Sequence, residues 1–251
     1  PTGVVYNPNS KDFVINSVLG SGHAIFIIVT ENGSINGWNP TVDPSNALVA
    51  VFNESSVYKG CDIYNSRLYV CNFNKGFIEV YDNTFKFLFK FTDPILTSIG
   101  YSPFNVYVAN DKLFVAFAKQ DDNKKDDVKG IGNGFINVFN PDGTLIKMFY
   151  GRGVLNSPWG MLKTCLKFDY GECCKKHTVL IVGNFGNGKI NIFDIDNGSY
   201  ISSLKDCYGN TISIDSLWGL VLNNDGKSII FTAGIDDENH GLTGFLKNQK
   251  C

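Results

Sequence analysis

The sequence predicts an all-β propeller built from four-stranded blades. Three observations carry that prediction. One strand–turn–strand segment recurs along the chain, one short motif opens each unit, and the units follow one another at roughly 45 to 60 residues, the range of propeller blades.

The recurring segment is an apolar strand, a short Asn/Gly turn, and an alternating strand that ends on an aromatic. It runs from Ile27 to Trp38, from Leu68 to Tyr81, and from Ile181 to Phe193. Another copy is split between Leu113–Phe117 and Asn133–Phe139, and a weaker one runs from Ile229 to Ala233 and ends near Gly244-Phe245. Alternation of period two gives each strand one buried and one outer face. Turns such as Asn32-Gly33 and Gly186-Asn187-Gly188 supply the positive φ that tight hairpins need. A second turn follows each aromatic, at Asn39-Pro40, Asp82-Asn83, Asn140 to Gly143 and Asp194 to Gly198. An outer fourth strand is then expected, as at Phe85–Phe91, Leu145–Phe149 and Tyr200–Leu204.

The opening motif reads Pro1-Thr2-Gly3-Val4-Val5, Tyr58-Lys59-Gly60-Cys61-Asp62, Pro103-Phe104-Asn105-Val106, Pro158-Trp159-Gly160-Met161 and Leu217-Trp218-Gly219-Leu220. A small third residue in most copies suits crowded inner strands, because glycine lets neighbouring backbones approach. A single domain follows, with units near 1–56, 57–101, 102–156, 157–215 and 216–251, and with insertions at about 119–132 and 165–177. The last unit is short, since only six residues follow Phe245. The expectation is that sequence upstream of Pro1 adds the closing strand and one more blade, making six; a closed five-bladed ring is the alternative.

Composition narrows the function classes. A chain of 251 residues can bury a core without metal or disulfide staples. A net charge of −2 with scattered Lys and Arg forms no basic stripe, which excludes a phosphate-tracking, nucleic-acid surface. The longest apolar run, Ala24–Val29, is strand-sized and far too short to span a membrane. Seven cysteines leave at least one unpaired within the chain. Cys61 and Cys71 flank a predicted hairpin turn at Asn65-Ser66, so a cross-strand bridge is one reading, and Cys165 with Cys173 or Cys174 would close a small loop. Buried free thiols are the other reading.

These stretches together resemble a family of uncharacterised, mostly secreted six-bladed propellers related to NHL-repeat proteins. The resemblance is carried by Pro1–Val5, Gly33–Pro40, Tyr58–Gly60, Ser102–Val106, Ala118–Asp121 and Gly132–Phe135. It continues through Leu155–Gly160, Gly183–Gly186, Leu217–Leu220 and Phe231–Glu238, and so covers nearly the whole chain. It implies one further blade before Pro1, and it implies a fold more than an activity. The cysteine-rich stretch Cys165–His177 departs from it.

Chemistry-bearing residues fall into a few clusters. Asp121, Asp122, Asp126 and Asp127 are hard oxygen ligands suited to Ca²⁺, the one cofactor suggested, though without the spacing of a known calcium loop; the plainer reading is a solvated acidic loop. Asp236, Asp237, Glu238 and His240 share a turn and could do acid–base work or hold a metal, although consecutive residues rarely converge on one point. Asn105, Trp159 and Trp218, with Lys59 and Asp62, would line the channel mouth and bind a polar or sugar-like ligand, unless the tryptophans wedge between blades. No Gly-x-Ser-x-Gly elbow occurs. The expected function is a non-catalytic scaffold presenting loops to a protein, glycan or particle surface, in an extracellular, secreted or virion-associated setting. The alternative is a metal-dependent hydrolase of the lactonase-like propeller type.

Overall fold

The computed structural model describes residues 1–167 and 176–247. It divides into two compact units, Pro1–Asp127 with Asn137–Lys147, and Val128–Ile136 with Met148–Cys251.

The first blade holds β1 (Gly3–Tyr6), the small hairpin β2 (Val14–Ser17) and β3 (Gly20–His23), then β4 (Phe26–Val29), β5 (Ser34–Trp38) and β6 (Leu48–Phe52). Its sheet order is β1-β4-β5-β6, with β2 and β3 forming a separate pair. That hairpin is an insertion the repeat does not announce; its Ile15 joins the core beside Gly37. The second blade is β7 (Tyr58–Tyr64), β8 (Arg67–Asn72), β9 (Phe77–Tyr81) and β10 (Phe87–Phe91). A short helix α1 (Pro94–Ser98) follows, capped by the Asp93 carboxylate on the amides of Ile95 and Leu96. The third sheet is β11 (Tyr101–Ala109), β12 (Lys112–Lys119), β13 (Gly134–Phe139) and β14 (Leu145–Gly151).

In the second unit a sheet of β15 (Pro158–Lys167), β16 (Lys176–Asn184), β17 (Ile190–Asp194) and β18 (Tyr200–Ser203) precedes β19 (Leu217–Leu222), β20 (Ser228–Ile235) and β21 (His240–Lys247). The last sheet has three strands among the described residues, as its short sequence implies. Strands β15 and β16 run on into the stretch expected to be an insertion, with Cys165 opposite Thr178.

This is the antiparallel sheet repeat of a β-propeller. Four of the five opening motifs prove to be bulges in the first strand of their sheets, while β1 pairs with β4 in unbroken register. Register shifts fall between Tyr58 and Cys61, Pro103 and Asn105, Pro158 and Met161, and Leu217 and Leu220. A bulge re-aims the strand and its side chains. The Asn65-Ser66 turn forms as predicted, with φ of 49° and 58°, the left-handed pair of a type I′ hairpin.

Alternation then builds the core. In the first unit Ile27, Val29 and Ile35 pack against Cys61, Leu68 and Val70. In the second, Val179, Ile181 and Ile192 pack against Leu217, Leu220 and Phe231. Each fully buried aliphatic side chain contributes about 1.5–3 kcal/mol. The other face of the first sheet is open. Tyr6, Phe26 and Trp38 stand opposite one another across β1, β4 and β5, and Val4, Tyr6 and Val49 are at least 60% exposed.

Candidate functional site

The inner-strand starts are crowded, as the small residues imply. A Cβ on Gly3 would stand 2.6 Å from the Lys59 carbonyl oxygen, and one on Gly60 would stand 1.9 Å from the Asn105 amide oxygen. In the second unit a Cβ on Gly160 would meet the Trp218 carbonyl at 2.6 Å. Asn105 accepts the Val106 amide at 2.9 Å.

The groups proposed to line a ligand site here are turned inward on one another. Lys59 is 3% exposed, with its ammonium 2.5 Å from Glu31 and 3.2 Å from Asp126. It also lies 5.7 Å and 6.0 Å from the ring centroids of Phe73 and Phe104. Aromatic faces and two carboxylates thus replace the water around the cation. At the matching place in the second unit, Trp218 meets Trp159 edge to face with ring centroids 4.7 Å apart, and its ring centroid lies 4.3 Å from that of Phe185. Asp62 accepts the amides of Ile63 and Val108, tying β7 to β11. Burial nonetheless pushes its carboxyl up to about 6.

The acidic loop is held by its own backbone. Asp121 Oδ1 accepts the amides of Lys125 and Asp126, and Asp126 answers Lys59. Asp122 is exposed and Asp127 half-buried. Asp236, Asp237 and Glu238 form a turn of three left-handed residues, with φ of 57°, 50° and 65°. Asp236 and His240 come within 3.6 Å, each 70% exposed, a surface pair of little energetic weight. Among the described residues no three His, Cys, Asp or Glu side chains gather in a way that could hold a metal ion.

The cysteine pairings are corrected. Cys61, Cys71 and Cys165 are free thiols. Cys61 lies opposite Val70, so Cys71, one residue further along β8, points to the other face of the sheet. Cys173 and Cys174 lie outside the described residues.

A site that no motif announces sits in the second blade. The third strands align as Asn36, Glu79, Asn137 and Asn191 at their centres, all at most 8% exposed. Only the second blade places a carboxylate there. Two phenols accompany it: Tyr58, where later units open on Pro or Leu, and Tyr81, where the others end on Trp or Phe. These three residues touch. Tyr58 donates to Glu79 Oε2 at 2.9 Å, Tyr81 donates to the same oxygen at 2.5 Å, and Asn72 Nδ2 donates to Oε1 at 2.8 Å. Burial, with the Glu79 charge adding to it, pushes the Tyr58 phenol up to about 12, and Tyr81 is raised further. Both phenols are thus held as donors. Glu79 and Tyr81 line an open groove of about 860 Å³ together with Phe52, Phe77, Phe87, Glu54 and Lys90. The signal was present in the strand repeat as one charge replacing an amide.

No protein-family model matches the chain. It is 34% identical to uncharacterised protein L690 of Acanthamoeba polyphaga mimivirus, over 98% of the chain and 67% of L690. It is 33% identical to uncharacterised protein R648 of the same virus, over 98% of the chain and 62% of that protein. To uncharacterised protein R640 it is 34% identical, over 88% of the chain and 42% of R640. The chain therefore spans from under half to two thirds of these relatives. Among solved structures, it is similar to a chain of a nidogen/laminin complex, with a TM-score of 0.58, 13% identity, and 89% of this chain and 78% of that one covered. For streptogramin B lyase the values are 0.55, 14%, 97% and 67%, and for the Dos1 propeller 0.52, 11%, 99% and 72%. These likenesses are of fold alone, and that fold is the β-propeller. Identity of 34% over two thirds of L690 shows that the chain belongs to the family of uncharacterised mimivirus proteins that includes L690.

Proposed function

We propose that the chain is a non-catalytic binding module that presents preformed surfaces to a protein partner. The enclosure of Lys59 carries this reading. The inner-strand positions, where a propeller would hold a reacting ligand, are spent on internal neutralisation and packing: Lys59 on Glu31 and Asp126, Trp218 on Trp159 and Phe185. The surface of the first unit also carries an aromatic row, Tyr6, Phe26 and Trp38, and a groove beside Glu79 lined by aromatic and charged residues. Contiguous surface of that kind suits protein contact. No helix among the described residues is long and apolar enough to cross a membrane.

The competing reading, a hydrolase working through a divalent cation, needs Asp and Asn side chains from three or more blades to converge; among the described residues no three His, Cys, Asp or Glu side chains gather in a way that could hold a metal ion. Elemental analysis of the purified protein, with turnover assays on lactone and ester substrates in Ca²⁺, Mg²⁺ or Zn²⁺, separates the two. The binding-module reading expects no stoichiometric metal and no turnover. Stoichiometric metal together with metal-dependent turnover would overturn it.

A further inference from the structure

We infer that the groove over Glu79 receives a lysine or arginine side chain of the partner protein. This rests on the binding-module reading and names the chemistry its partner presents. Glu79 is 6% exposed and forms no ion pair among the described residues. A buried carboxylate is ordinarily matched by a cation. Its natural partner within the chain declines the role: Lys90 lies directly opposite Glu79 in the β9–β10 ladder, yet its ammonium rests 4.2 Å from the centroid of the Phe77 ring. Oxygen Oε2 is filled by two phenols, while Oε1 accepts Asn72 alone and keeps an acceptor direction.

The internal repeat gives the control. Sister blades, which lack the two phenols, complete the same strand with a neutral Asn, so the strand ladder itself does not require the charge. The phenols Tyr58 and Tyr81 appear in the same blade and fix the carboxylate of Glu79, a residue that lines the groove. The walls suit the stem of a basic side chain, since Phe52 and Phe87 are 61% and 49% exposed and offer faces for alkyl and cation–π contact. An acidic floor with aromatic walls complements a basic side chain and repels an anion.

The test is an NMR titration of the whole chain with an acetylated, amidated Gly-Gly-Lys-Gly-Gly peptide and with its norleucine counterpart. The lysine peptide is expected to shift the amide signals of Glu79, Tyr81 and Phe87 saturably, and the norleucine peptide is not. Glu79→Gln is expected to weaken binding about tenfold or more. Lys90→Ala is expected to tighten it by about threefold, because a competing like charge leaves the groove. A purely structural Glu79 would produce neither change in affinity. Should Glu79→Gln not fold, Phe87→Ala at the exposed wall takes its place and is expected to weaken binding. Absence of saturable shifts in the wild type, equal binding of the norleucine peptide, or affinity unmoved by these substitutions would overturn the inference. Such a failure without turnover leaves the binding-module reading standing, whereas metal-dependent turnover removes that reading itself.

Discussion

Gly60 lies against Asn105 with no space for a side chain: a Cβ there would stand 1.9 Å from the amide oxygen and 2.7 Å from the Asn105 Cα. The contact joins β7 to β11, and the obstructing atoms include backbone, which cannot rotate away. Gly60→Ala is therefore expected to destabilise the chain by about 1–3 kcal/mol or more, through forced separation of the two strands. Urea denaturation at neutral pH measures it. An unchanged midpoint would mean that the inner strands are not held this closely.

Lys59 makes an asymmetric prediction. Its carboxylate partners are 34% and 60% exposed, while the ammonium is 3% exposed. Removing Glu31 strips a buried cation of its nearer partner; removing the cation leaves two carboxylates that water can reach. Glu31→Gln is expected to cost about 1–3 kcal/mol, and Lys59→Met, which keeps the stem between Phe73 and Phe104, is expected to cost less than that or to stabilise. Paired denaturation curves check the ordering, and a larger loss from Lys59→Met would reverse the account of this cluster.

Asp62 gives a pH dependence of defined sign. Burial raises its folded-state pKa to about 6, above the ordinary aspartate value of 3.8. The fold thus favours the protonated form. Its contribution to stability is complete below about pH 4 and is lost as the pH rises through 6. Relative to Asp62→Asn, the wild type is expected to lose about 2 kcal/mol between pH 4 and pH 6.5. Denaturation midpoints of both proteins across that window test it. Parallel profiles would show that Asp62 is already solvated or paired in the folded chain.

The blade pattern could be read from residues because each of its causes is local. Alternation marks strands, Asn65-Ser66 marks a left-handed turn, and the small third residue of the opening motif marks close backbone approach. The hairpin β2–β3 escaped because it is short and glycine-rich, with no apolar alternation of its own. The Cys61–Cys71 pairing failed for a non-local reason: the bulge between Tyr58 and Cys61 sets the register, and register decides which face each thiol takes. Glu79 was visible as a letter and not as a site. Its meaning depends on Tyr58 and Asn72, which reach it from β7 and β8, and only the folded sheet brings those strands together.

On the inference above, the second blade carries a ligand site laid over a scaffold that folds without it. Replacing Glu79 by Asn, the residue its sister blades hold, tests this most directly through thermal unfolding with and without the Gly-Gly-Lys-Gly-Gly peptide. The expected result is a Glu79→Asn chain that still unfolds in one cooperative transition, its midpoint lowered by the buried phenols left without their acceptor, with only the wild type gaining about 2–4 °C when the peptide is present at ten times its dissociation constant. Collapse of Glu79→Asn without peptide, or an equal gain in both proteins, would contradict the claim.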